Sequence, residues 1–595
     1  MSGLRLTLAI VSLVTLLHAQ GEHANPIVTF NHDVAPIIFR NCSSCHRPGE
    51  AGPFSLLTYR DVKSHAKQIA DVTRSHVMPP WLPERGDFKF ADERRLTAEE
   101  IETIQKWVKQ GAPEGEARDL PPAPHFTPGW QLGDPDLVLT AEKPYTLPAA
   151  GSDQYWNFVL PVPINATRWV RAVEIRPADK RLVHHANMLV DRMRSARHLE
   201  TQPGAGFAGM EISLESETFD PDSHFLFWKP GSLPYVEPDG LALRLDPGTD
   251  LVLNLHLQPS GKPESIQPRV GLYFTDKSAT RFPMLLQIQN DRALDIPAGE
   301  ANFAVTSDFT LPVNVDLLAI YPHAHYLGTD LLATATLPSG SQKTLIHIPR
   351  WDLKWQGVFR YAEPVSLPRG TVITMHYVYD NSADNMSNPS HPPKRVTAGN
   401  RATDEMAHLW LQVLPQGFGP EDGDPRRLLM EALARRTLQN DPADFEANYN
   451  LASVLQAKGF TRQAIEYYET AVKLRPDHAV ANNALGAALI AIDRSEQAVA
   501  PLRMAVKNRP DYFDAHYNLG IALHNLGDLN GTLEELTAAV RLSPGDASAH
   551  ANLGAAMAEA GHYADAQGEL ENALRINPNL ELARENLAAL KNILH

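Results

Sequence analysis

The sequence predicts a multidomain chain: a small α-helical domain, then two β-sandwich subdomains of jelly-roll type, then an α-solenoid. Three observations predict this. Both cysteines of the 595-residue chain fall within one five-residue stretch near the start. A long middle region alternates short β-like runs with turn residues. The last part repeats every 34 residues. The expected boundaries are 1–19 for an export signal, 28–118 for the helical domain, 129–285 and 286–415 for the sandwiches, and 427–595 for the solenoid.

The cysteines stand in Cys42-Ser43-Ser44-Cys45-His46, the C-x-x-C-H pattern of covalent c-type haem attachment. Cys42 and Cys45 would form the two thioethers of one haem c, and His46 would be the proximal iron ligand. A Cys42–Cys45 disulfide is the alternative, and no second cysteine pair exists to complete a structural zinc site. For the distal ligand the candidate is Met78 in His76-Val77-Met78-Pro79-Pro80-Trp81, with His76 as its rival. The prolines cannot continue a helix and would present Met78 on an extended loop. The closing segment opens with a capping box, Thr97-x-x-Glu100, and continues with Ile101, Ile104, Trp107 and Val108 at helical spacing.

Haem of this type implies export. Arg5 precedes an apolar run from Leu6 to Leu17, and Ala19 offers a small residue for cleavage before Gln20. A retained anchor is the alternative. No later segment is long enough for a membrane span, so the expected location is the periplasm or the extracellular space. The net charge of -16, from 70 acidic and 54 basic residues, argues against nucleic acid or an anionic membrane as partner. No cysteine remains for disulfides in the larger domains, which must rest on buried cores.

A proline-rich linker, 113–128, leads into the β region. Trp169-Val170-Arg171-Ala172-Val173-Glu174-Ile175 and Leu251-Val252-Leu253-Asn254-Leu255-His256 alternate as strands of antiparallel sandwiches do. Five histidines and one methionine stand out there: the pair His184-His185, His256 before the turn Gln258-Pro259-Ser260-Gly261, the H-x-H of His323 and His325, and Met406. Residues two apart on a strand share a face, so His323 and His325 can reach one metal. Adjacent His184 and His185 diverge on a regular strand and share an ion only at a strand end or bulge. Met375-His376 is a competing Met/His pair within a strand.

Beyond a Gly/Pro/acid-rich loop, 416–425, Pro442, Pro476, Pro510, Pro544 and Pro578 recur 34 residues apart, as do Leu451, Leu485, Leu519 and Leu553. Gly459, Gly527 and Gly561 keep one phase, with Asp493 at the remaining position. This is the tetratricopeptide pattern, with units 443–476, 477–510, 511–544 and 545–578 and a capping helix over 580–594. Its groove suits a protein partner, and Asn450, Asn518 and Asn552 share one phase that could face it.

Two resemblances extend these readings. The 97–108 segment is similar to the C-terminal helix of class I cytochromes c. The order of histidine pair, single histidine, H-x-H and Thr403-Asp404-Glu405-Met406 resembles the type II copper, ascorbate-dependent monooxygenases, the family of peptidylglycine α-hydroxylating monooxygenase and dopamine β-hydroxylase. That resemblance spans about Gly129 to Pro415. It implies one copper on His184, His185 and His256, and a second, oxygen-activating copper on His323, His325 and Met406. It also implies two sandwiches facing a solvent-filled cleft. A soft thioether beside two imidazoles suits Cu(I). The chain departs from the family in lacking disulfides there. It also has Tyr321 where the peptide-hydroxylating branch has an arginine, and Trp410 where that branch has a tyrosine.

The function expected is extracytoplasmic copper-dependent hydroxylation of a C–H bond with O2. The substrate would be a small molecule or peptide-like, and electrons would come through the haem from an external donor. The alternatives are a non-catalytic haem and copper redox protein with a solenoid scaffold, and an adaptor led by the repeats.

Overall fold

The computed structural model describes residues 27–127, 129–210, 212, 214–215, 223–417 and 424–594. The export signal expected over 1–19, with Arg5, Leu6–Leu17 and Ala19, lies outside the described residues. Two compact units are present. One comprises the described residues up to Arg47, Phe54–Pro79 and Leu96–Pro124; the other comprises Pro48–Pro53, Pro80–Arg95 and the chain from His125.

The first unit is helical, with α-helices Ala35–Asn41, Tyr59–Ser64, Ala66–Arg74 and Ala98–Lys109. Phe30, Val34, Ile38, Val62, Ile69, Ile104 and Trp107 form its core. The last helix starts as the sequence dictates. Thr97 Oγ1 accepts from the Glu100 N–H at 3.1 Å, and the Glu100 carboxylate accepts from the Thr97 N–H at 2.7 Å, which satisfies two otherwise orphaned donors. Its apolar stripe buries Ile104 and Trp107 completely, and Trp107 Nε1 donates to the Pro113 carbonyl at 2.9 Å.

Pro80–Arg95, inside the segment 28–118, groups with the second unit. Phe90 forms a bridge with Tyr361. The Ala91 N–H donates to the Arg360 carbonyl at 2.8 Å and the Ala362 N–H to the Lys89 carbonyl at 2.9 Å. Trp81 and Phe90 pack against Phe359. The stretch has no helical spacing of its own, and its aromatic side chains gain apolar cover from the second sandwich.

Within the second unit the middle region is β-rich. A four-stranded sheet orders Leu137–Thr140, Arg269–Thr275, Arg168–Arg176 and Leu243–Leu245. A five-stranded sheet orders Phe207–Ala208, Gln154–Pro161, Asp250–Leu257, Val183–Asp191 and Phe227–Trp228. Phe158, Leu160, Val170, Leu253, Leu255 and Leu272 pack these two sheets into one core. The next sandwich starts at Met284, two residues before the expected boundary. One sheet orders Met284–Gln289, His408–Pro415, Val315–His323 and Phe359–Leu367; the other orders Phe303–Thr310, Val372–Tyr379, Gly328–Thr336 and Gln342–Ile348. Strict alternation in Phe303–Thr310, with Val305, Ser307 and Phe309 inward, marks one covered and one solvated face.

The C-terminal part is a tetratricopeptide solenoid. The helix Pro425–Asn440 precedes four hairpins, whose first helices are Phe445–Ala457, Ala479–Ile490, Phe513–Asn525 and Ala547–Glu559; Glu581–Leu594 closes the stack. Gly459, Gly527 and Gly561 end their helices with φ between 79° and 83°, and Asp493 takes the same left-handed conformation at 61°. Asparagine and aspartate tolerate this region better than other non-glycine residues. Asn518 donates to the Asn483 side chain and Asn552 to the Tyr517 hydroxyl, so both amides tie neighbouring repeats together. Among the described residues no helix is long and apolar enough to cross a membrane.

Candidate functional site

In the first unit the C-x-x-C-H stretch forms a tight turn on a helix end. Cys42 caps the helix Ala35–Asn41, and the N–H groups of Cys45 and His46 both donate to the Cys42 carbonyl, at 3.2 and 3.0 Å. Both thiols are free, and burial, then the neighbouring Cys45, pushes the Cys42 thiol up to about 12. His46 Nδ1 faces the Phe54 carbonyl at 3.2 Å. An N–H on Nδ1 leaves Nε2 bare, the form a metal-ligating imidazole takes. Burial lowers the His46 pKa, which also favours the neutral ring.

Helix Ala66–Arg74 ends in a Schellman motif. His76 has φ 58°, the Val77 N–H donates to the Val72 carbonyl at 2.9 Å, and the His76 N–H donates to the Thr73 carbonyl at 3.2 Å. The Met78 N–H also reaches the Val72 carbonyl, at 3.1 Å. The helix terminus therefore fixes the backbone of both candidate distal ligands. His76 is exposed and Met78 half-buried.

The second unit gathers the remaining candidates. In the strand Val183–Asp191 the pairing with Asp250–Leu257 shifts register between Val183 and His185, so the bulge that the adjacent pair requires is present. His256 stands between the two, with ring centroids 4.7 Å from His184 and 5.0 Å from His185, and lies flat on Tyr155 at 4.3 Å. Asp153, which precedes the strand Gln154–Pro161, joins them: its Oδ2 is 2.9 Å from His256 Nε2 and 3.7 Å from His184 Nδ1. Ligating atoms of Asp153, His184 and His256 all lie within 4.8 Å of one another.

Hydrogen bonds select the nitrogens. His184 Nε2 faces the Gln258 side-chain oxygen at 2.9 Å, and His256 Nε2 faces Asp153, leaving Nδ1 of His256 buried without a partner. Burial first, then His256, lowers the His184 pKa. Burial, then His256 and His323, lowers that of His185 far more. The hydrogen bond from His256 holds the Asp153 carboxyl below its usual range.

In the second sandwich His323 ends the strand Val315–His323 directly opposite His408. His325 lies beyond the strand end, so its position does not come from strand alternation. The loop is held instead by Glu405, whose carboxylate accepts the N–H groups of His325 and Leu327, both at 2.7 Å, and of Met406 at 3.1 Å. Burial pushes the Glu405 carboxyl up to about 8, against the pull of these N–H donors. Trp351 Nε1 donates to the His325 carbonyl at 3.1 Å, and the Tyr379 hydroxyl to the Met406 carbonyl at 2.7 Å. Glu405 thereby ties the H-x-H loop to the methionine segment.

His325 Nδ1 faces the Asp404 carbonyl at 2.9 Å, and its Nε2 is buried without a partner. His323 Nδ1 faces the Gln356 side-chain oxygen at 2.9 Å. Burial first lowers both pKa values, His323 the more. Both rings are therefore held toward the neutral form; His325 has Nε2 bare, a proton on Nδ1 would leave that of His323 bare as well, and the ring centroids are 5.4 Å apart at 82°. The donor set fits a metal. It comprises imidazoles of which His184, His256, His323 and His325 each have one nitrogen facing a hydrogen-bond partner, with Met406 buried on the segment that Glu405 ties to His325. The competing pair splits: Met375 is core, and His376 meets Thr306 across the sheet.

The space between these two sets, where the resemblance implies a solvent-filled cleft, holds three side chains. Gln356, Tyr321 and Phe227 occupy the space, with Phe227 stacked near His185 at 5.8 Å and 5.8 Å from Tyr321. Asp153, Gln356, His408 and the clamp role of Glu405 escape sequence reasoning. Only Glu405 leaves a local trace there, as the acid directly before Met406 in Thr403-Asp404-Glu405-Met406.

Comparison with known proteins bears on the helical region. The tetratricopeptide repeat family matches residues 449–512 and 493–547. The protein O-mannosyl-transferase TMTC1 of Mus musculus is 36% identical over 85 residues, 14% of this chain and 9% of that protein. Its Homo sapiens counterpart is 42% identical over 59 residues, 10% of this chain and 7% of that protein. The chain thus spans less than a tenth of the length of these curated relatives. Among solved structures, YrrB, described as a TPR protein with an unusual peptide-binding site, is 24% identical with a TM-score of 0.26, covering 27% of this chain and 82% of that one. MamA from Desulfovibrio magneticus RS-1 is 24% identical with a TM-score of 0.25, covering 26% and 90%.

Proposed function

We propose that this chain is an extracytoplasmic copper-dependent monooxygenase, fed with electrons through a haem on Cys42, Cys45 and His46 with Met78 as distal ligand. The observation that carries the reading is His325. Its ring is neutral and buried, one nitrogen is satisfied and the other bare, and its loop is tied by Glu405 to Met406. A buried polar atom without a partner is costly, and a metal ion would remove that cost. With its proton on Nδ1, His323 supplies the second bare nitrogen, and His184, His185 and His256 would hold the other copper.

Bound copper would supply dioxygen activation and one-electron transfer, so that one C–H bond, one O2, two electrons and two protons become C–OH and water. The chain's own contribution is to keep the imidazoles neutral and oriented. Asp153, Gln258, Gln356 and the Asp404 carbonyl each hold one nitrogen and leave the other for the metal. Attached haem implies assembly outside the cytoplasm, and the solenoid groove suits a protein partner.

A copper count on the pure chain, paired with O2 uptake across candidate substrates, tests the reading. Fewer than two coppers per chain, or unchanged O2-dependent hydroxylation in Met406→Ile, overturns it. The closed packing of Gln356, Tyr321 and Phe227 between the sets favours a second reading, a haem and copper redox protein without turnover. Two bound coppers with no O2 uptake would establish that one.

A further inference from the structure

We propose that Gln356 is a positioning residue that joins the two histidine sets into one hydrogen-bonded unit, fixing which nitrogen of His323 stays bare and linking it to His185. The proposal rests on the reading that these histidines take copper. Gln356 follows the short turn Leu353–Trp355 and is 4% exposed. Its Oε1 receives two donors, the Tyr321 hydroxyl at 2.6 Å and His323 Nδ1 at 2.9 Å. This orientation makes the Tyr321 hydroxyl and an Nδ1–H of His323 the donors to Oε1; the reversed amide would put the NH2 against His323 and the ring proton on Nε2. As the amide stands, its NH2 is turned toward His185 Nδ1, at 3.5 Å.

The chemistry needs a neutral group that accepts at one end and donates at the other. With its proton on Nδ1, His323 keeps Nε2 bare, matching His325. On the far side the NH2 faces His185 Nδ1, whose ring lies 5.0 Å from that of His256. At 3.5 Å the contact with His185 is long for a hydrogen bond, and a metal drawing on that nitrogen displaces it. Displacing it frees the Gln356 NH2, and the other end of the same amide holds His323. Occupancy of one set must then change the affinity of the other, and by the same factor in both directions.

The test uses the full chain, with Gln356→Leu, which loses both functions, and Gln356→Glu, which keeps the acceptor and loses the donor. In metal-free protein with 15N-labelled histidine, magic-angle-spinning NMR reads which nitrogen carries the proton, with assignments from His323→Asn and His185→Asn. Wild type and Gln356→Glu should show His323 protonated at Nδ1; Gln356→Leu should show a mixture with the Nε2 form. Titration with copper ions should show the ratio of the two stepwise binding constants shifted at least about fivefold in Gln356→Leu. Circular dichroism checks that each variant folds, and Gln356→Glu carries the test through its His185 signal if Gln356→Leu does not. An unchanged His323 signal, or an unchanged ratio of constants, overturns the proposal. Wild type that binds no copper overturns the functional reading instead, and the nitrogen signals then decide the role of Gln356 alone.

Discussion

His325 and His256 of the β region and His516 and His550 of the solenoid are similarly buried and oppositely equipped. His325 and His256 are each 3% exposed, and His516 and His550 are 7% and 6% exposed. His325 has one acceptor, the Asp404 carbonyl, and a bare nitrogen on its other side. His516 has two, Glu535 at 2.6 Å on Nδ1 and the Pro510 carbonyl at 3.1 Å on Nε2. His550 repeats that geometry with Glu569 and Pro544. Two acceptors can be satisfied together only by two N–H groups; one acceptor leaves the other nitrogen free to offer a lone pair. His224 shares the bare nitrogen, with Nε2 on the Leu241 carbonyl and Nδ1 buried without a partner, so a prospective ligand is marked by a bare nitrogen together with a second donor beside it, as His323 stands beside His325.

The strongest challenge to this contrast is removal of a bare-nitrogen ring. His325→Ala should cost the second copper and abolish O2-dependent hydroxylation, while His550→Ala should change neither; metal analysis and O2 uptake check both. Next is Glu405→Ala, which strips the acceptor from three buried N–H groups. At about 1–3 kcal/mol each, the second sandwich should lose roughly 3 kcal/mol or more in denaturant unfolding, and copper affinity should fall at the second set first. Asp153→Asn sharpens the contrast on the first set. Its orienting carboxylate is lost while the rings remain, so copper affinity there should drop about 10–100-fold, read by competition with a chelator.

The smallest effect expected is in the solenoid. Glu535, then burial opposing it, sets the His516 pKa, with the Pro510 carbonyl raising it and Arg541 lowering it; the net shift is upward. A raised folded-state pKa means that the stabilisation is fully present below about pH 6.5 and fades as pH rises through the folded value. At the equivalent position of the first two repeats Asn448 and Asn482 donate to Pro442 and Pro476. His516→Asn should therefore keep the proline tie and flatten the dependence of solenoid melting on pH, measured by calorimetry across pH 5.5–8.5.

The sequence shows periodic features well and tertiary partners poorly. The 34-residue spacing of prolines and leucines marks the solenoid because each repeat must bury the same face, and alternation marks the strands. The spacing of His323 and His325 hints at a shared site, but their actual arrangement depends on Glu405, 80 residues away from His325. Asp153 meets His256 across 103 positions and Gln356 meets His185 across 171; no local pattern marks either. Pro80–Arg95 looks continuous with the Cys42–His46 segment because sequence adjacency is visible and the apolar cover near Phe359 is not. Nor does Leu182-Val183-His184-His185 carry any residue that announces a bulge.

That bulge makes the first histidine set sensitive to chain length as well as chemistry. One extra residue in the Val183–Asp191 strand is what breaks the alternation between His184 and His185. Deleting Val183 would leave every histidine in the chain yet restore regular pairing, sending neighbouring side chains to opposite faces. In a lineage of such proteins a single-codon deletion there would dismantle the site as surely as replacing a ligand.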